Sequence, residues 1–150
     1  MAVLTSALEK LLGYQMRRAT AVLMADFVRT LSDFDMRPAE ITTLLVIAEN
    51  PDCSQSEVGE AIAIKRANMV PIIARLIERD LVARTRVDGR SLALRVTDKG
   101  ADLAAEAWRR IAEHEARFRD RLAPADLETV LTALPVLRTA IDDAAPVDEQ

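Results

Sequence analysis

A mainly α-helical protein carrying one small β-hairpin is what the sequence predicts, on three observations. Ala, Leu, Arg and Glu are abundant while aromatic residues are scarce, apolar residues recur at intervals of three and four along most of the chain, and in one stretch that period falls to two. With 150 residues, half of them apolar, the chain can bury one good core. No apolar run approaches the roughly 20 residues of a membrane-spanning helix, and the N-terminus lacks a basic region followed by an apolar stretch, so a cytoplasmic protein is expected. A single cysteine, Cys53, and a single histidine, His114, leave no intrachain disulfide and make a cysteine-based metal cage or a His-based catalytic dyad improbable. No cofactor is expected.

The elements follow in order. Leu8, Leu11, Leu12, Ala19, Val22, Leu23 and Phe27 define one long helix from Thr5 to about Leu31. Residues 33–38 form a connection, and Pro38 opens a second helix with Ile41, Leu44, Leu45, Ile47 and Ala48, ending near Asn50-Pro51. Ser54 stands three residues before Glu57, the capping-box spacing, so a short third helix starts there and buries Val58, Ala61 and Ile62. A fourth helix follows, with Met69, Ile72, Ile73, Leu76 and Ile77 inward and Leu81 closing it. Two short helices this close together, the second cationic at its start, predict a helix-turn-helix.

The period then changes. Val82–Val87 and Leu92–Val96 alternate around Asp88-Gly89-Arg90-Ser91, which reads as a hairpin with a basic tip, a wing beside the helix-turn-helix. Thr97-Asp98-Lys99-Gly100 leads into a long helix through Leu103, Ala107, Ile111 and Phe118, and Pro124 opens a last one through Leu127, Leu131, Leu134 and Ile141, which Pro135 should kink or break. The expected organisation is a winged helix-turn-helix lobe over residues 38–100, terminal dimerisation helices over 1–34 and 101–145, and a frayed tail over 146–150.

Charge points to the ligand of that lobe. The whole chain carries −4, yet residues 61–96 hold the bases Lys65, Arg66, Arg75, Arg79, Arg84, Arg86, Arg90 and Arg95 against only Glu78, Asp80 and Asp88. A basic module in an acidic chain suits local binding to DNA rather than indiscriminate coating. Side chains in the first turns of a helix in the major groove reach base edges and phosphates, which places Lys65, Arg66, Asn68 and Met69 as candidates. Arg90 at the hairpin tip can enter the minor groove, with Arg86 alongside. Ser54 and Gln55 can offer a phosphate their N–H groups and side chains, although capping accounts for Ser54 equally well.

The order of elements resembles the MarR family of bacterial transcriptional regulators over essentially the whole chain. The most specific match is Asp88-Gly89-Arg90 followed by Leu92-Ala93-Leu94-Arg95-Val96-Thr97-Asp98-Lys99-Gly100. Upstream, Gln55-x-x-Val58-Gly59-x-x-Ile62 and Leu76-x-x-x-Asp80-Leu81-Val82 match in length and type. The chain departs from the family in having Ala63 and Asp80 where glycines are usual, and in placing Pro71 inside the recognition helix. Asp tolerates the left-handed conformation better than most residues, and a proline near a helix start removes little.

The resemblance implies an obligate homodimer formed by the apolar terminal helices, presenting two recognition helices to a pseudo-palindromic operator. It implies that Asp88 holds a wing arginine, and that a small anionic, often aromatic, effector binds where the dimerisation helices meet the DNA-binding lobe. Tyr14, Arg17 and Arg18 could anchor a carboxylate, and Trp108, Arg109 and His114 are the other unusual groups of the terminal helices, although each could equally be solvated or paired with acids. The expected protein is therefore a repressor, released by an aromatic acid or its coenzyme A thioester and tied to aromatic compound catabolism. Two other readings stand beside it: a thiol redox sensor acting through Cys53, and a winged protein-interaction module that lacks DNA binding. An enzyme is not expected, since neither a glycine-rich phosphate loop nor metal-ligand spacing occurs.

Overall fold

The computed structural model describes residues 7–86 and 92–139. A 3-10 turn (Ala7–Lys10) leads into α1 (Leu12–Thr30), followed by a second 3-10 turn (Ser32–Phe34), α2 (Pro38–Glu49), α3 (Gln55–Ala61), α4 (Arg66–Glu78), β1 (Val82–Arg86), β2 (Leu92–Val96), α5 (Asp98–Arg119) and α6 (Pro124–Thr139). The fold is mainly helical with a two-stranded antiparallel wing, as the periodicity predicts.

The first helix differs from expectation. Leu11 is extended (φ −88°, ψ 125°) and separates the 3-10 turn from α1. Helices gain most of their stability from packing, and Leu8, Leu11 and Leu12 are all exposed among the described residues, so little apolar burial supports a continuous helix there.

The core centres on α2. Ile41, Leu44 and Ile47 are fully buried against Met69, Ile73 and Leu76 of α4, with Leu94 of β2 and Ala104 and Ala107 of α5 closing the cluster. α5 runs unbroken across the boundary expected at residues 100–101, its small residues Gly100, Ala104 and Ala107 being buried.

Both turns that flank α4's fold use a non-glycine residue at positive φ. Ala63 (φ 55°) and Asp80 (φ 58°) occupy the left-handed position after α3 and α4. Ile64 N–H donates to Gly59 O at 2.8 Å and Ala63 N–H to Glu60 O at 3.2 Å; Leu81 N–H donates to Leu76 O at 2.9 Å and Asp80 N–H to Ile77 O at 2.9 Å. These are two Schellman motifs, which satisfy the last carbonyls of each helix. The second is reinforced from outside, because Thr97 Oγ1 donates to Asp80 O at 2.7 Å and Lys99 Nζ to Arg79 O at 2.7 Å.

The hairpin pairs Val82 with Val96 and Arg84 with Leu94. A third backbone segment joins it, since Leu94 N–H donates to Cys53 O at 2.8 Å and Asp52 N–H donates to Leu94 O at 3.0 Å. Arg95 adds a two-pronged ion pair to Asp52, so the base of the wing and the start of α3 are one unit. Pro135, expected to kink or break the last helix, lies within α6, which continues to Thr139. Its missing N–H leaves only the Leu131 carbonyl without a helical donor, and Leu131 is exposed enough for water to meet it.

α1 is held to α5 by a polar knot. His114 is 2% exposed, and its Nδ1–H donates to Asp26 Oδ2 at 2.8 Å. Arg117 Nη2 donates to the same oxygen at 2.6 Å and to Thr30 Oγ1 at 2.8 Å, while Arg29 pairs with Asp26 Oδ1. Phe27 and Phe118 pack edge-on against the imidazole. The Arg117 guanidinium, followed by His114, holds the Asp26 carboxyl well below the usual carboxylate range.

A carboxyl whose pKa is depressed by folding adds stability that is present above its unfolded value, about 4, and disappears as pH falls towards the folded one. Urea unfolding should therefore show a gap between the parent protein and Asp26→Asn that is full near neutrality and closes on acidification below about pH 4. A gap independent of pH would mean that the carboxylate charge is not its source.

Candidate nucleic-acid interface

α3 and α4 are placed by local chemistry that the sequence spells out. Ser54 Oγ accepts the Glu57 N–H at 3.2 Å, and Glu57 Oε2 accepts the Ser54 N–H at 2.7 Å, a complete capping box. The Ser54 hydroxyl is thus occupied by the cap, while Gln55 is half-buried at the first position of α3. Gly59 lets α4 close in, because a Cβ there would lie 3.0 Å from Ile64 O and 3.2 Å from Met69 Cγ.

On α4, Lys65 is the extended N-cap, and Arg66 and Asn68 are exposed in the first turn. Gln55, Gly59, Lys65 and Arg66 share an open groove along the turn between the two helices. Met69, expected among the DNA-contacting residues, is corrected: it is fully buried beneath Gly59 as part of the core. Its spacing with Ile73 and Leu76 on the inward stripe of α4 is the physical reason.

The linear charge count also needs partition. Arg79 donates to the carbonyls of Asp35 at 2.7 Å and Phe34 at 2.9 Å, Arg75 Nε lies 3.3 Å from Glu40 Oε1, and Arg95 is paired with Asp52. These three arginines tie α4 and the wing to the rest of the lobe. Arg66 and Arg84 are exposed and pair with no acid among the described residues. Arg84, one of the eight bases of residues 61–96 but not among the expected DNA contacts, is distinguished from the paired arginines by its exposed position on β1. The Arg86 side chain, Asp88 and Arg90 lie outside the described residues.

The effector candidates fall into two groups. The guanidinium carbons of Arg17 and Arg18 stand 5.4 Å and 5.7 Å from the Tyr14 ring centroid, and Arg18 also pairs with Glu9 at 3.1 Å. Trp108 is 44% exposed on α5, beside Arg109, which donates to Glu106 at 2.8 Å and 2.7 Å and pairs with Glu113. His114 belongs to neither surface, being buried against Asp26. Cys53 is half-buried, and burial, then the nearby carboxylates of Glu57 and Asp52, push its thiol pKa up. That opposes the thiolate a redox sensor needs.

Two short helices joined by a tight turn, followed by a two-stranded wing, with exposed cations on both, define a DNA-binding protein of the winged helix-turn-helix class. A family model described as "MarR family" matches residues 34–91. A transcriptional repressor, CouR, solved on a 23-mer DNA duplex, is 30% identical with a TM-score of 0.84, covering 92% of this chain and 99% of that one. CouR bound to p-coumaroyl-CoA is 29% identical with a TM-score of 0.81, covering 93% and 99%. A putative transcriptional regulatory protein for the hcr operon of Thauera aromatica is 29% identical over 126 residues, 82% of this chain and 76% of that protein. The chain belongs to the MarR family, a family of transcriptional regulators and not of enzymes. Among the described residues no helix is long and apolar enough to cross a membrane.

Proposed function

We propose that the chain is a dimeric, ligand-responsive repressor that binds a pseudo-palindromic operator and leaves it when an aromatic acid or its coenzyme A thioester binds. The observation that carries the reading is the first turn of α4, where Arg66 and Asn68 are exposed at the head of a recognition helix. Arg66 suits guanine or phosphate and Asn68 suits adenine. Arg84 adds phosphate attraction at the wing, while Arg86, Asp88 and Arg90 enter this proposal from the sequence alone, as a phosphate contact and a minor-groove arginine with its acid.

Dimerisation is supported by the exposed apolar side chains of the terminal helices, including Leu12, Met16, Val22, Val28, Leu131 and Val136. Met16, Leu131, Leu134, Pro135 and Leu137 among the apolar residues of these helices line one groove, and soluble monomers rarely expose large apolar patches. For the effector, the Tyr14–Arg17–Arg18 cluster pairs an aromatic ring with fixed positive charge, a fit to a flat anion, and CouR's complex with p-coumaroyl-CoA supports a thioester. Trp108 offers a further stacking face and Arg109 a second cation, whereas His114 would have to leave Asp26 to take part. The redox reading has no support from Cys53, given its raised pKa.

Fluorescence anisotropy with duplexes tiled across the chain's own promoter region tests this. One fragment should bind specifically, and a panel of aromatic acids and their thioesters should contain a compound that releases it. Failure of every fragment to bind above the non-specific level would defeat the proposal.

A further inference from the structure

Beyond its first turn the recognition helix exposes chiefly apolar residues, the half-exposed Arg75 at its far side being paired with Glu40. Past the first turn, the exposed positions of α4 before Glu78 are Val70, Pro71 and Ala74, with Ala67 just ahead of them. They lie at helical spacing on the side turned from Met69, Ile73 and Leu76, which are fully buried. Val70 is 52% exposed. The other large apolar side chains exposed to a similar degree sit on the terminal helices or their flanks, or, like Leu92, at the end of a wing strand, so Val70 stands apart from the surface that dimerisation would cover.

An apolar stripe on a surface helix is unfavourable in water unless something covers it. The cations at its head, Arg66 and Lys65, and Arg84 on the wing favour a polyanion as the cover. Within the major groove the base pairs present donors, acceptors and one kind of apolar group, the C5-methyl of thymine. A face of Ala, Val and Pro can satisfy none of the donors or acceptors with its side chains, but it packs favourably on methyl groups.

Resting on the DNA-binding reading above, we infer that Val70, with Ala67 and Pro71, selects thymine in each half-site by contact with its C5-methyl. Arg66 and Asn68 supply the hydrogen-bonded part of the readout, so the half-site should combine one hydrogen-bonded step with an adjacent thymine.

The test uses the full-length protein and the genomic fragment that it binds, with thymines replaced singly by uracil, which removes the methyl and leaves base pairing intact. At one or two positions per half-site, uracil should weaken binding roughly fourfold for each methyl lost. Val70→Ala, conservative on an exposed helical position, should bind the thymine duplex more weakly than the parent does and should distinguish it from the uracil duplex by a clearly smaller factor. A fragment bound specifically but indifferent to uracil at every position overturns the inference and leaves the DNA-binding reading standing. A uracil effect undiminished in Val70→Ala assigns the methyl contact elsewhere and overturns it too. Absence of any specific fragment overturns both.

Discussion

Gly100→Ala is expected to destabilise the fold by about 3 kcal/mol or more, the upper end of what overpacking costs. A Cβ at this position would stand 1.9 Å from Leu81 O and 2.8 Å from Leu81 C, both backbone atoms. A flexible side chain could move aside, but here the main chain at the end of α4 would have to. That main chain is fixed by the Schellman bond from Leu81 N–H to Leu76 O and by Thr97 N–H donating to Leu81 O at 3.1 Å. Thr97 in turn caps α5, its Oγ1 accepting the Gly100 N–H at 3.0 Å while donating to Asp80 O. The Thr97-x-x-Gly100 motif is thus one joint, in which the hydroxyl links two helix ends and the glycine lets them touch. Urea unfolding at fixed protein concentration measures the effect, and a loss under 1 kcal/mol would show that the helices separate easily.

On the dimeric reading proposed above, Leu131→Asp is expected to give a monomer and to lower affinity for the bound DNA fragment on the order of a thousandfold, to the non-specific level. Leu131 is 55% exposed in the single chain and borders a groove with Met16, Leu134, Pro135 and Leu137. A charge there costs the isolated chain little, yet a two-fold interface would bury it twice. Helical circular dichroism should be nearly unchanged while sedimentation gives half the mass. A dimeric variant with full affinity would remove α6 from the interface.

Features governed by neighbours in sequence were legible in advance. Ser54 and Glu57 form their capping box, Pro38 opens α2, Asp80 takes the left-handed cap, and the alternation in Leu92–Val96 becomes a strand. Each depends on spacings of a few residues, over which geometry follows from residue type. Ala63 shows the limit of such rules, because a position where glycine is usual adopts φ 55° with alanine, held by the same pair of backbone bonds that glycine would have. The break at Leu11 and the passage of α6 through Pro135 were not legible, since both turn on whether packing or water meets the backbone.

The candidate interface was legible as a region rather than as a set of side chains. Eight bases in residues 61–96 marked the lobe, but proximity in sequence does not tell which guanidinium meets a partner dozens of residues away. Arg79 reaches Phe34 and Asp35, Arg95 reaches Asp52, and His114 reaches Asp26.

The sequence by itself determined the helix-turn-helix, its wing and its family, because periodicity, caps and motif spacing are short-range properties. Only the tertiary structure decided between the inward and the DNA-contacting readings of Met69, and showed that Arg75, Arg79 and Arg95 hold the lobe together and that Val70 faces outward. Burial and long-range pairing depend on what the rest of the chain brings alongside each residue, and a favourable contact exists only once both partners have been carried there.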